Sequence, residues 1–304
     1  MGTGAENRET KMKVSGFSFV RNAVKLYYPV RESLLSILPV CDEFVIAVGK
    51  SDDETLELIK SIGDERVIII ETEWDSRYFV NGAINAQQTD IALSRCTGDW
   101  CFYIQADEVV HEKYLPLIKE KMERYLNDSQ VEGFLFDYKH FWGDYRHYQT
   151  ARHWYSREVR IIRNRIGVSS WKDAQGFRRN GKKLRVIHSG AEVYHYGWVR
   201  PPWVMKKKQI AMDSLYHDQG WIDRRHPVKS VPFEYGTLKH LALFKDSHPS
   251  VMEERIKEIN WECRENKWVK HRHNNFWVRL VSFIENRILH THIGEYKNYI
   301  LLRR

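Results

Sequence analysis

The sequence predicts an α/β fold, a mostly parallel sheet covered by helices, with a C-terminal helical extension. Three observations carry this. Apolar, strand-like runs alternate with helix-like segments from Val14 to about Leu126, the pattern of strands joined by helical crossovers. Two of those runs end in acids, at Asp52-Asp53-Glu54 and at Asp107-Glu108, and open α/β sheets bind ligands beyond the carboxyl ends of their strands. The 304 residues suit one large domain with an extension better than two independent domains.

Taken in order, residues 14–20, 44–48 and 67–70 read as strands, and 29–37 and 55–61 as the helices between them. Residues 82–95 follow as a helix with Ala83, Ile84, Ile91 and Ala92 available for burial, and 100–104 as a short buried strand. An amphipathic helix over 113–125 comes after the tetrad Gln105-Ala106-Asp107-Glu108. Ser51 with Glu54 fits a capping box, so part of the first acidic turn reads as a helix start, although capping needs no second aspartate. The second acidic pair could equally offset a helix dipole.

Beyond residue 130 the pattern changes. An aromatic strand over 133–141 leads into Trp142, Tyr145, Tyr148, Trp154 and Tyr155 interleaved with Arg146, Arg152, Arg157 and Arg160. Such a mixture suits sugar rings and phosphates, and equally a single nucleic-acid strand. Strands over 159–162 and 184–187 bracket Trp171-Lys172-Asp173-Ala174-Gln175-Gly176, and Tyr194-His195-Tyr196 precedes Arg200 and the lysines 206–208.

These motifs, in this order and spacing, resemble the family 2 glycosyltransferases. Ser51-Asp52-Asp53-Glu54-Thr55 matches the family's Ser-x-Asp-x-Thr turn, and Thr97-Gly98-Asp99-Trp100 matches the Gly-Asp-aromatic entry to the strand that carries its Asp-x-Asp metal motif. Asp107 aligns with the last aspartate of that motif, while Gln105 stands in place of the first. The likeness covers about residues 14–216. It implies a GT-A fold, a nucleotide-sugar donor, an acceptor hydroxyl on a glycan, a lipid-linked molecule or another compound, and inverting transfer helped by a divalent metal, Mn²⁺ or Mg²⁺.

On the resemblance, Arg21, Asp53, Gln105, Asp107 and Arg200 are the expected donor contacts, and Asp107, Glu108 and His195 the expected metal ligands. Asp173 falls where the acceptor-side acid lies, so it is the expected base that takes the proton of the attacking hydroxyl. Each has a plainer alternative: a turn residue for Asp173, a hydrogen-bonded core histidine for His195 and a solvated face for most of the lysines.

A formal charge of +8 favours anionic partners, among which nucleotide sugars, phospholipid surfaces and nucleic acids all qualify. A nucleotidyltransferase would be expected to carry a glycine-rich phosphate loop near the first strand, where Arg21-Asn22-Ala23 stands instead. A single-strand nucleic-acid-binding protein would not place acids at two strand ends. Cys41, Cys96, Cys101 and Cys263 lack zinc or redox spacing, and no apolar segment is long enough to span a bilayer. A cytoplasmic enzyme, with peripheral contact at an inner membrane face or oligomerisation as options, is the expectation.

The expected organisation is a disordered segment over 1–13, the GT-A domain over 14–216 and the helical extension over 217–304. The extension mixes apolar with basic residues between Trp268 and Arg287. His271, Asn274, Asn275, Glu285 and Asn286 interrupt its apolar face, so packing against the domain is expected rather than membrane docking.

Overall fold

The computed structural model describes residues 11–228, 231–289 and 293–303; most of the segment expected to be disordered lies outside them. Four strands form a parallel unit: β1 (Val14–Val20), β2 (Glu43–Gly49), β3 (Val67–Thr72) and β4 (Trp100–Tyr103), in the order β3-β2-β1-β4. The crossovers contain α1 (Val30–Ile37), α2 (Thr55–Lys60) and α3 (Ala83–Leu93). Every residue of β2 is buried, which explains its continuous apolar run: a strand covered on both faces has no polar side to show. Successive strands step away from β1 on one side until β4 returns to its other side. A crevice therefore opens beyond the carboxyl ends of β1 and β4.

The remainder of the sheet is mixed. After β5 (Glu108–Val110) and α4 (Leu115–Arg124) come β6 (Gly133–Trp142), β7 (His147–Gln149), β8 (Arg157–Arg163), β9 (Val168–Trp171), β10 (Gly176–Arg179) and β11 (Lys182–Trp198). β8 lies antiparallel between β4 and β6, and β11 runs parallel to β6. The 17 residues of β11 reach from the β9–β10 hairpin to β5, where Val193, Tyr194 and His195 pair with Val110, Val109 and Glu108. One continuous strand thus ties His195 to the acidic tetrad.

Beyond it the chain forms α5 (Pro202–Asp213), α6 (Gln219–Arg225), the two-residue β12 (Ala242–Leu243), α7 (Glu253–Lys257), α8 (Phe276–Ile284) and β13 (Tyr299–Leu301). This segment is less helical than expected. It returns to the sheet, β12 pairing with β7 and β13 with β11, and Arg255 binds Glu32 of α1 at 2.9 Å. Much of the extension therefore packs on the domain, but α8 departs from the expectation: Ser282, Glu285 and His273 are buried, whereas Phe276, Trp277 and Phe283 face outward.

Candidate active site

The crevice beyond β1 and β4 is a cleft of about 560 Å³. One wall is aromatic: Phe19, Trp74 and Phe79, with the Trp74 ring 6.2 Å from Phe19 and 6.4 Å from Phe79. Arg21 leaves the end of β1, donates its Nε to the Lys50 carbonyl at 3.0 Å and lies 5.3 Å over the Trp74 ring. A planar base and an anion both find partners on this wall. Nothing in the apolar periodicity marked Trp74, which follows β3 in an irregular loop.

Asp107 forms the floor and is buried. Its Oδ2 accepts from Lys208 Nζ at 3.1 Å and lies 3.8 Å from His195 Nε2. Burial works to raise the Asp107 carboxyl, but the cations Lys208 and Arg200 outweigh it and hold it well below the usual carboxylate range. Burial and the neighbouring Arg200 pull the Lys208 ammonium down to about 7, against the raising influence of Asp107. Lys208 is thus not one of a solvated lysine run. It shares the inner face of α5 with Met205, one turn earlier, and that three-residue spacing was the signal available in the sequence.

His195 is held by a second histidine. His140 Nε2 lies 2.8 Å from the Tyr155 carbonyl, which can only accept, so that nitrogen carries the proton. Burial lowers the pKa of both imidazoles and keeps them neutral. His140 Nδ1 therefore accepts from His195 Nδ1–H at 2.9 Å, which leaves the lone pair of His195 Nε2 free beside Asp107. A metal-binding histidine is normally oriented by such a hydrogen bond from its other nitrogen. Gly197 adjoins the same spot: a Cβ there would lie 2.5 Å from His195 Nε2 and 2.8 Å from Asp107 Oδ2.

Asp107 and His195 thus fit a divalent ion as two protein ligands. Among the described residues no group of three or more His, Cys, Asp or Glu could hold one, so the remaining positions would fall to diphosphate oxygens and water, as is usual for Mg²⁺ at nucleotides. Glu108 does not join them. Arg160 binds it through two bonds of 2.7 and 2.8 Å, and Tyr138 and the Gln105 amide donate to it as well. Its acceptor sites are spent on a fully buried ion pair that anchors the tetrad.

The other expected donor contacts divide. Gln105 lines the cleft and its Nε2 lies 3.3 Å from the Ala174 carbonyl, linking the end of β4 to the β9–β10 turn. Asp53 does not line it: its carboxylate accepts from the backbone of Lys25 and from Thr55, clamping the loop after β1 to the start of α2. The expected Ser51–Glu54 capping box does not form, because Ser51 Oγ accepts from the backbone of Asn22 instead and Glu54 makes no side-chain cap. Arg200 is fully buried against the Tyr28 ring, 4.7 Å away. It donates to the Gly197 carbonyl, and two other guanidinium nitrogens have no partner among the described residues. Arg200 is not among the residues that line the cleft.

Asp173 lines the same cleft, 66 positions from Asp107, in the turn that joins β9 to β10. Its neighbours Lys172 and Ala174 both adopt positive φ, an unusual conformation for residues with a side chain. Tyr216, just past α5, donates its hydroxyl to Asp173 Oδ2 at 2.9 Å. One carboxylate oxygen is thereby oriented, and no motif or periodicity marks the tyrosine.

A family model described as Glycosyl transferase family 2 matches residues 27–185, just over half of the chain. The chain belongs to that family. Among solved structures, the chain is similar to TarS of S. aureus at 15% identity and a TM-score of 0.39, covering 70% of this chain and 42% of the TarS chain. TarS 1–349 in complex with UDP matches at 14% identity and a TM-score of 0.39, over 70% of this chain and 69% of that one. Glucosyl-3-phosphoglycerate synthase from Mycobacterium tuberculosis, in complex with Mn²⁺ and UDP-glucose, matches at 15% identity and a TM-score of 0.29, over 42% and 43%. The chain spans under half of the full TarS chain. No curated protein sequence matches.

Proposed function

We propose that this family 2 member transfers a sugar from a nucleotide-sugar donor to an acceptor hydroxyl by a single displacement with inversion. The observation that carries the reading is the convergence of Asp107, His195 and Lys208 with Asp173 on one cleft at the switch point of the sheet. The nucleotide lies along Phe19, Arg21 and Trp74, which leaves its diphosphate over Asp107.

Asp173 takes the proton of the acceptor hydroxyl as that oxygen bonds to the anomeric carbon. The bond from the anomeric carbon to the diphosphate oxygen breaks with its electron pair. Lys208 and the field of Arg200 stabilise the negative charge that develops on the leaving group, and they do so most strongly in the transition state, where that charge is largest. Tyr216 keeps the base oriented. A divalent ion held by Asp107 and His195 would further screen the diphosphate when bound. Glu108, Arg160 and His140 position this machinery without touching the substrate.

Thermal melts against a panel of nucleotide sugars, with and without Mn²⁺ or Mg²⁺, test the reading, since a ligand that binds only the folded state raises its stability by mass action. A melting point raised by one donor class, and a matching sugar transfer, is the expected outcome. No shift with any nucleotide sugar at millimolar concentration would refute it.

A further inference from the structure

Helix α8 and the turn after it are polar inside and apolar outside. Ser282 Oγ accepts from the Arg152 amide at 2.9 Å, Glu285 pairs with Arg152 at 3.4 Å, and Asn286 donates to the Thr150 carbonyl at 2.7 Å. The opposite face presents Phe276, Trp277, Phe283 and Ile288, each between 59% and 68% exposed, and Trp268 nearby is 92% exposed. Exposed apolar residues gathered in this way mark a surface that meets something. The charges around them are mainly basic; the exposed Glu265, which lies with Phe276, Lys267 and Lys270 around one pocket, pairs with Lys239. From residue 266 to 289 the chain carries Lys267, Lys270, Arg272, Arg279 and Arg287, all exposed, and a single acid, Glu285, which is buried.

We propose that this face docks the protein on an anionic lipid surface. Apolar side chains flanked by cations match an interface in which hydrocarbon lies beneath negative headgroups. A second copy of the chain fits less well, because a two-fold contact sets a patch against itself and would bring these five cations together, while the exposed acid beside them, Glu265, is already paired with Lys239. No helix among the described residues is long and apolar enough to cross a membrane, so the contact is peripheral. The segment held by α8 also reaches the cleft: Arg152 lies two residues before Trp154, which lines it with Tyr155. Docking therefore bears on the strand of chain that walls the site.

Sedimentation of the full chain with vesicles tests this, using phosphatidylcholine alone or with 30 mol% phosphatidylglycerol (about one anionic lipid in three, a strongly negative surface). Partitioning to the anionic vesicles is expected to be at least tenfold stronger than to neutral ones and to fall as NaCl is raised. The triple variant F276S/W277S/F283S should lose at least tenfold in partitioning with its melting point unchanged, since these side chains are exposed. K270E/R279E/R287E should lose as much. Absence of parental binding to anionic vesicles, equal binding to neutral ones, or undiminished binding by the serine variant would overturn the proposal. So would a parental dimer that the serine variant dissolves while vesicles bind neither.

Discussion

Replacing Gly197 with alanine probes the metal and diphosphate position without removing any charged group. The added Cβ would sit 2.5 Å from His195 Nε2, 2.6 Å from its Cε1 and 2.8 Å from Asp107 Oδ2, all inside the distance at which a carbon can rest. The backbone is not the obstacle, since Gly197 is not among the residues with positive φ. The imidazole must yield, but it is tied to His140 at 2.9 Å, and His140 is tied to the Tyr155 carbonyl. Overpacking of this kind costs about 1–3 kcal/mol of stability, which leaves a folded protein. Disturbing the orientation of a metal ligand typically lowers affinity about 10- to 100-fold. Calorimetric titration of Gly197→Ala with Mn²⁺ and a nucleoside diphosphate should therefore show affinity reduced at least tenfold, with a melting point only a few degrees lower. Parental affinity in a folded Gly197→Ala protein would refute the placement of ion and diphosphate between Asp107 and His195.

Three further outcomes are expected. Asp173→Asn should bind the nucleotide sugar as tightly as the parent in calorimetry yet lose turnover by at least about 100-fold, the usual scale of a general base; normal turnover with the authentic acceptor would return Asp173 to the status of a turn residue. Glu108→Ala strands a buried Arg160 without its partner and should destabilise the protein by about 3–5 kcal/mol in urea titrations; a near-neutral change there would contradict the buried pair. Burial raises Glu158 from 4.5 to about 8, and its Oε2 has no partner among the described residues. Because the folded state holds this proton more tightly than the unfolded state, its stabilising contribution is complete below about pH 4.5 and is lost as pH rises towards 8. Glu158→Gln should flatten that dependence and gain stability over the parent at pH 8.5 by a few kcal/mol, up to an upper bound of roughly 5; parallel stability–pH curves for the two proteins would remove the effect.

The parallel half of the fold was legible because β1, β2 and β4 are buried on both faces, and β1 and β2 fall where the runs of Val, Phe and Ile put them. The hairpin of β9 and β10 was not. Val168–Trp171 alternates between half-buried and exposed positions and Gly176–Arg179 carries two arginines, so neither looks like a strand until partners supply the hydrogen bonds. Site residues followed the same division. Asp107 was visible at a strand end, but a carboxylate's partner is set by distant chain: Arg160 claims Glu108 across 52 positions and Lys208 claims Asp107 across 101. Helix α8 misled for a related reason. Glu285, just after it, looked like an interruption of the apolar face, and the structure turns that residue inward onto Arg152.

The pairing of β13 with Leu184, Arg185 and Val186 has a consequence for how the molecule is made. On a ribosome those three residues emerge more than a hundred positions before their partner, a delay on the order of ten seconds at ordinary elongation speeds. During that interval a stretch of β11 between the sections paired with β10 and β5 has one flank open, and an open flank invites pairing with other chains. Newly made protein should accordingly depend on holding chaperones, or on dilution, until residue 301 arrives and β13 covers that flank.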